Sequence, residues 1–189
     1  MIKRTILPGI FALLFLFAGG CADTKTVDAA GTPGTVEISF DFSRQSGIAN
    51  NQFAVWIEDS RGKFVKSLYV TGFSGKGGFR QRPEALPEWV KRSGAASKEQ
   101  ADLTAGATPK SGAFTATWNC TDEKGAAVAA GDYSFFVEET VAWKDDLYKG
   151  VIVVGDKRAS ASPEAVSKTS ADNDMIGEIK AVFTPAETK

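Results

Sequence analysis

The segment Asp102-Leu-Thr-Ala-Gly-Ala-Thr108 offers a hydroxyl group where a group-transfer enzyme could reach it. An enzyme that esterifies a protein hydroxyl must bring it against a diphosphate, so the acceptor needs exposed backbone with little side-chain bulk. Gly106 and Ala107 give that close approach, and glycine admits backbone angles closed to other residues. Pro109 disfavours helical geometry for the residue before it, which holds Thr108 on an extended turn. By residue type alone, Leu103 to Gly112 also reads as a small-residue loop ahead of a strand. Both readings stay open at this point.

Little else in the chain can do chemistry unaided. There is no histidine, which excludes Ser-His-Asp and Cys-His hydrolases, His-ligated haem and most zinc sites. Thr121-Asp122-Glu123-Lys124-Gly125 has carboxylates suited to calcium but lacks the full loop spacing, and Asp and Gly at such offsets make hairpin turns. Cys120 has no neighbour that lowers its pKa and reads as inert packing. Trp56 and Trp118 are expected in the core. Trp89, Trp143 and Tyr148 allow two readings: covers for an open end of the fold, or flat surfaces on which an aromatic ring stacks. The chain is therefore expected not to be a self-sufficient enzyme.

The first residues carry an address. Lys3 and Arg4 precede an apolar run, Ile6 to Phe17, and Ala18-Gly19-Gly20 leads to Cys21. Residues 1–21 thus resemble a bacterial lipoprotein signal, in which Cys21 is lipidated and becomes the new N-terminus; the run is short for a membrane-spanning helix. Ala22 in the second mature position resembles outer-membrane sorting, facing the periplasm. The full chain has 22 basic and 23 acidic residues, so loss of Lys3 and Arg4 moves its net charge from −1 to −3. No basic stripe is present, and nucleic acid is not an expected partner. With Cys21 lipidated, Cys120 is the one remaining thiol, and no intrachain disulfide forms.

These groups need a scaffold, and the pattern is β. Residues 22–34 are rich in Thr, Ala and Gly and read as a flexible tether, with a single domain following over 35–185. Thr35 to Phe42 alternates apolar and polar residues at the period of a half-buried strand. Gln52 to Glu58 and Lys63 to Val70 flank the turn Asp59-Ser-Arg-Gly62 and are expected to form a hairpin. Further strands are expected at Ala113–Trp118, Tyr133–Glu139, Gly150–Val154 and Met175–Phe183. About seven short strands point to an all-β, antiparallel immunoglobulin-like sandwich. Two segments interrupt it. The connection from Thr71 to Pro109 holds a Gly-rich stretch and one short helix at Leu86 to Arg92, with Pro87 in its first turn. Asp156 to Asp174 reads as a polar, disordered loop.

Two resemblances sharpen this reading. Asp102, Gly106, Ala107 and Thr108 match the motif at which a FAD:protein FMN transferase attaches FMN covalently to exported proteins; Ala105 stands where the motif usually has a hydroxyl residue. Phe53-Ala-Val-Trp-Ile-Glu-Asp59, Leu86-Pro-Glu-Trp89, Ala107-Thr-Pro-Lys-Ser-Gly112 and Trp118-Asn-Cys-Thr-Asp122 with Gly125, Gly131 and Tyr133 are, together and in order, similar to the periplasmic family called domain of unknown function 2271. The resemblance implies FMN on Thr108, with Asp102, Gly106 and Ala107 completing the attachment site. It also implies a role as an extracytoplasmic electron carrier whose partners are the transferase and membrane electron-transfer proteins. The other class the residues allow is a cofactor-free, lipid-anchored binding module for a protein or glycan.

Overall fold

In the computed structural model, the described residues are 33–47, 51–97, 104–169 and 175–187. Two β-sheets face each other, and the chain is an all-β sandwich with little helix. Strand β1 (Gly34–Phe42) lies in a four-stranded sheet of order β5-β1-β10-β8, with β5 at Gly112–Trp118, β8 at Ala159–Ala161 and β10 at Lys180–Pro185. The other sheet has six strands in the order β4-β3-β2-β6-β7-β9. Its members are β2 (Gln52–Asp59), β3 (Phe64–Thr71), β4 (Ala105–Gly106), β6 (Gly131–Val141), β7 (Lys144–Val154) and β9 (Glu164–Lys168). All pairings are antiparallel except β3 with β4.

The alternation expected from sequence is what builds the core. Val36, Ile38, Phe40 and Phe42 point inward from β1 and meet Phe53, Val55 and Ile57 of β2 and Phe135 and Val137 of β6. Burial of such side chains is the main favourable contribution to folding, roughly 1.5–3 kcal/mol each. The β2–β3 hairpin closes through Asp59, whose carboxylate accepts from the amides of Arg61 and Lys63. At the far end Trp118 donates its indole N–H to the Thr121 carbonyl at 2.7 Å, which closes the turn that follows β5.

Strand β2 is buried along almost its whole length, on both faces. Its outward residues Ala54 and Trp56 join Val70, Phe136 and Leu147 in a second apolar cluster, and Leu86, Trp89, Phe79 and Ala95 roof it over. The connection between β3 and β4 is therefore a cover on the outer face of the six-stranded sheet. It comprises helix α1 (Gly72–Gly75), a 3-10 turn at Gly78–Arg80, helix α2 (Pro87–Ser93) and a second 3-10 turn at Ala95–Ser97.

Three expectations are corrected. Asp156 to Asp174 is not simply a loop: it contains β8, paired with β10, and β9, paired with β7, so the chain crosses between sheets twice. These edge strands are short, and β9 is largely exposed, so no apolar alternation marks them. Strand β7 begins at Lys144 rather than Gly150, because Asp146 and Leu147 are buried where their charges and spacing read as an interruption. The last strand begins at Lys180; Met175 and Ile176 are buried but outside it, with Ile176 bridging Phe42. The described strands thus number ten rather than about seven.

Candidate functional site

The segment expected to be an acceptor lies at the edge of the six-stranded sheet, where β4 runs parallel to β3. Ala105 is opposite Val70, and Gly106 is opposite Thr71. Gly106 cannot be replaced without movement, since a Cβ there would lie 2.5 Å from the Tyr69 ring. Tyr69 itself is held firmly: its ring stacks on Phe53 at 5.0 Å and meets Phe114 edge-on at 4.8 Å. Its hydroxyl donates to the Ala107 carbonyl at 2.6 Å, and burial raises its pKa. One aromatic side chain thereby fixes the backbone on which Thr108 stands. Ala107 is exposed, Thr108 and Pro109 are half-buried, and among the described residues no hydrogen bond engages the Thr108 hydroxyl.

Ala105 has a structural account. Its methyl group faces α1, where a Cβ on Gly75 would come within 2.5 Å of it, and it packs against the second apolar cluster. Helix α1 is held in turn by the Gln52 side-chain carbonyl, which accepts from Thr71 at 2.8 Å and Ser74 at 3.0 Å. Gly72 completes the close approach, because its Cβ would lie 3.1 Å from the Gly106 carbonyl. Of the residues expected at the attachment site, the fold therefore brings together Gly106, Ala107 and Thr108. Asp102 and the lipidation residue Cys21 lie outside the described residues.

The other end of the cover is fastened by buried charge. Helix α2 starts from Leu86, whose left-handed backbone (φ 59°) is a strained choice for a branched side chain. The strain is held by β6. Thr140 accepts from the Leu86 amide at 3.1 Å, and the Glu138 carboxyl accepts from the amides of Glu88 at 2.8 Å and Trp89 at 2.6 Å. Glu138 thus serves as a cap supplied from another strand, satisfying amides that a helix start leaves unpaired. Burial and the adjacent Asp145 carboxyl push the Glu138 pKa well above the ordinary carboxylate range. Burial likewise raises Asp145, to about 6. Both carboxyls therefore hold their protons to higher pH than free carboxylates do. Arg92 adds an ion pair, with Nη1 3.1 Å from Glu58 and Nε 2.9 Å from Glu88.

Trp89 lies inside this fastening. It is 1% exposed and donates its indole N–H to Ser67 at 2.9 Å, so it covers the outer face of the sheet and offers no surface to a ligand. Tyr148 donates to Glu139, and Trp143 is exposed at the β6–β7 turn. Cys120 is buried, and burial pushes its thiol up to about 11, so it is unreactive at neutral pH. Asp122 accepts from the amides of Lys124 and Ala126, which makes its segment the hairpin turn. Among the described residues no group of three or more His, Cys, Asp or Glu side chains could hold a metal.

The family whose model matches residues 34–170 is described as Predicted periplasmic protein (DUF2271). The chain belongs to this family. That description gives the family a predicted periplasmic location. Comparison with curated proteins and with solved structures finds no match. The match runs from the start of β1 past the end of β9, and so takes in the cover and the whole of the described acceptor segment.

Sequence reasoning missed Tyr69 and Glu138, which do most to position the two ends of the cover. Tyr69 carried no signal beyond its place in a strand. Glu138 and Glu139 did: two adjacent carboxylates inside an apolar strand pattern must find partners when buried.

Proposed function

We propose that this protein is an extracytoplasmic flavin carrier, with FMN esterified to Thr108. The observation that carries the reading is the acceptor loop. A Gly-Ala-Thr segment sits at a sheet edge, its backbone is fixed by Tyr69, and its hydroxyl is not engaged by the described residues. The step needs FAD and a transferase. The Thr108 Oγ forms a bond to the FMN phosphorus, the diphosphate P–O bond breaks, AMP leaves, and the hydroxyl proton passes to a base of the transferase. No electrons change hands in that step.

The residues present fit such a group. Ala107 beside Thr108 is small and exposed, and Tyr69 fixes its carbonyl, so the hydroxyl stands on a held backbone with little side-chain bulk next to it. Bound flavin supplies one- and two-electron transfer, for which the side chains of this chain have no substitute. The protein's own part is to orient, to exclude water on one side and to stay near its partners. A lipid on Cys21 with the 22–34 tether would keep it at the membrane beside membrane electron-transfer proteins, raising their effective concentration. The protein is then a substrate of the transferase and a carrier, not a catalyst.

The test is co-expression in a periplasm with a FAD:protein FMN transferase, followed by a denaturing gel viewed under ultraviolet light. A fluorescent wild-type band that is absent in Thr108→Val supports the reading. A dark wild-type band, with a known acceptor protein labelled in parallel, overturns it in favour of the cofactor-free binding module.

A further inference from the structure

The two sheets end in the edge strands β5, β8, β4 and β9, and all but one of these are guarded. A strand edge carries unpaired amides and carbonyls, and short length, charge and bulges keep other strands from adding to it. Strand β4 has two residues and β8 three. Strand β9 begins with Glu164, ends with Lys168 and carries a register shift against β7. Strand β5 has none of these guards. Gly112-Ala-Phe-Thr-Ala-Thr-Trp118 is seven residues long, with no charged residue and no proline. It pairs with β1 without a register shift, from Trp118 opposite Val36 to Gly112 opposite Phe42. Among the described residues, no backbone group outside β1 bonds to its backbone. Ala113, Thr115 and Thr117 are exposed, and a Cβ on Gly112 would meet open space.

We propose that the free edge of β5 is a seam for a second copy of this chain. The two β5 strands run antiparallel about Thr115 and join two four-stranded sheets into one continuous sheet. In this register β5 is complementary to itself. On the exposed face Thr115 meets the partner's Thr115, and Ala113 meets the partner's Thr117. On the inner face Phe114 meets the partner's Ala116, large against small. Cross-strand threonine and apolar pairs stabilise a sheet, and like charges opposite one another destabilise it; none meet here. The flanks favour the same arrangement. Lys110 is exposed just before β5, and the turn after it holds Asp122, Glu123 and Lys124, a net negative segment. Antiparallel pairing brings each Lys110 toward the partner's acidic turn, at both ends of the seam. A second copy thus supplies the strand and the charge complement together, which selects it as the occupant. Strand addition gains main-chain hydrogen bonds, with alternate side chains setting specificity. The contact is two-fold and uses up the open edge of both copies, so assembly stops at the dimer. None of this depends on the flavin reading.

The experiment uses the full chain, purified in mild detergent, as wild type, Thr115→Lys and Thr115→Glu. Sedimentation over a concentration series reads association, and urea midpoints check folding. The wild type is expected to show a reversible monomer–dimer equilibrium. Thr115 is exposed, so both variants are expected to keep the wild-type urea midpoint. Each sets like charges against one another at the two-fold and is expected to weaken dimerisation at least about tenfold. An equimolar mixture of the two sets Lys against Glu and is expected to recover the dimer. A wild type that stays monomeric throughout the series overturns the seam. So does a dimer that both charges leave intact, and so does a mixture that remains monomeric. Should either variant fold poorly, Thr115→Cys reads the same pairing by copper-phenanthroline oxidation. A disulfide-linked dimer is expected there and not in the wild type, whose Cys120 is buried, and its absence overturns the seam.

Discussion

The two ends of the cover over the six-stranded sheet are built on opposite principles. At the α2 end, Glu138, Thr140 and Ser67 bind the chain through buried hydrogen bonds, Arg92 bridges two carboxylates, and Trp89 fills the space beneath. At the α1 end the contacts are small: glycine against glycine, a two-residue strand, one tyrosine hydroxyl and an exposed phenylalanine. The first end is fastened, and the second presents backbone. On the flavin reading proposed above, strong anchorage at one end leaves the other thin enough for a transferase to reach the Thr108 hydroxyl.

If this division holds, substitutions at the two ends separate stability from modification. Thr108→Val is expected to have the largest effect, abolishing flavin attachment while altering unfolding free energy by no more than about 0.5 kcal/mol, since the Thr108 hydroxyl has no hydrogen bond among the described residues to lose. Denaturing-gel fluorescence and urea unfolding read the two quantities. Glu138→Ala is the converse. It leaves two helix amides without an acceptor in a buried place and is expected to cost roughly 3 kcal/mol in urea unfolding. The acceptor residues stay in place, so labelling of the folded fraction persists. Gly106→Val breaks the pattern at the thin end. Its side chain must displace the Tyr69 ring, at a cost of about 1–3 kcal/mol, and labelling falls as the Ala107 backbone shifts.

A subtler contrast is in pH. Glu138 and Asp145 both have pKa values raised by burial, so the folded chain binds more protons than the unfolded chain between the ordinary carboxylate range and about pH 6. Stability contributed by this pair is therefore greatest in acid and is lost as pH rises through the folded values. Urea midpoints are expected to rise as pH falls from 7 toward 5, and Asp145→Asn is expected to flatten that trend. The smallest effect is Trp143→Ala, at an exposed turn, which should leave stability within about 0.5 kcal/mol and labelling unchanged.

The sandwich was legible where one face is buried and the other wet. The alternation of Thr35 to Phe42 and the turn at Asp59 to Gly62 place β1 and the β2–β3 hairpin directly. Strand β2 is buried on both faces because the Leu86-Pro87 helix covers its outer side. Strands β8 and β9 left no trace because edge strands of Ser, Ala and Lys bury little. At the candidate site, Gly106, Ala107 and Thr108 were readable from size and a hydroxyl. What fixes them was not: the Tyr69 hydroxyl reaches Ala107 from 38 residues earlier, a contact that only the β3–β4 pairing brings about.

The most direct test of the account is intact mass of the mature protein after co-expression with a FAD:protein FMN transferase, with peptide mapping of the product. The account predicts a single added FMN, as a phosphoester, on the peptide that contains Thr108, and no addition in Thr108→Val. An unmodified wild type beside a labelled control acceptor, or a flavin mapped to another residue, would contradict it.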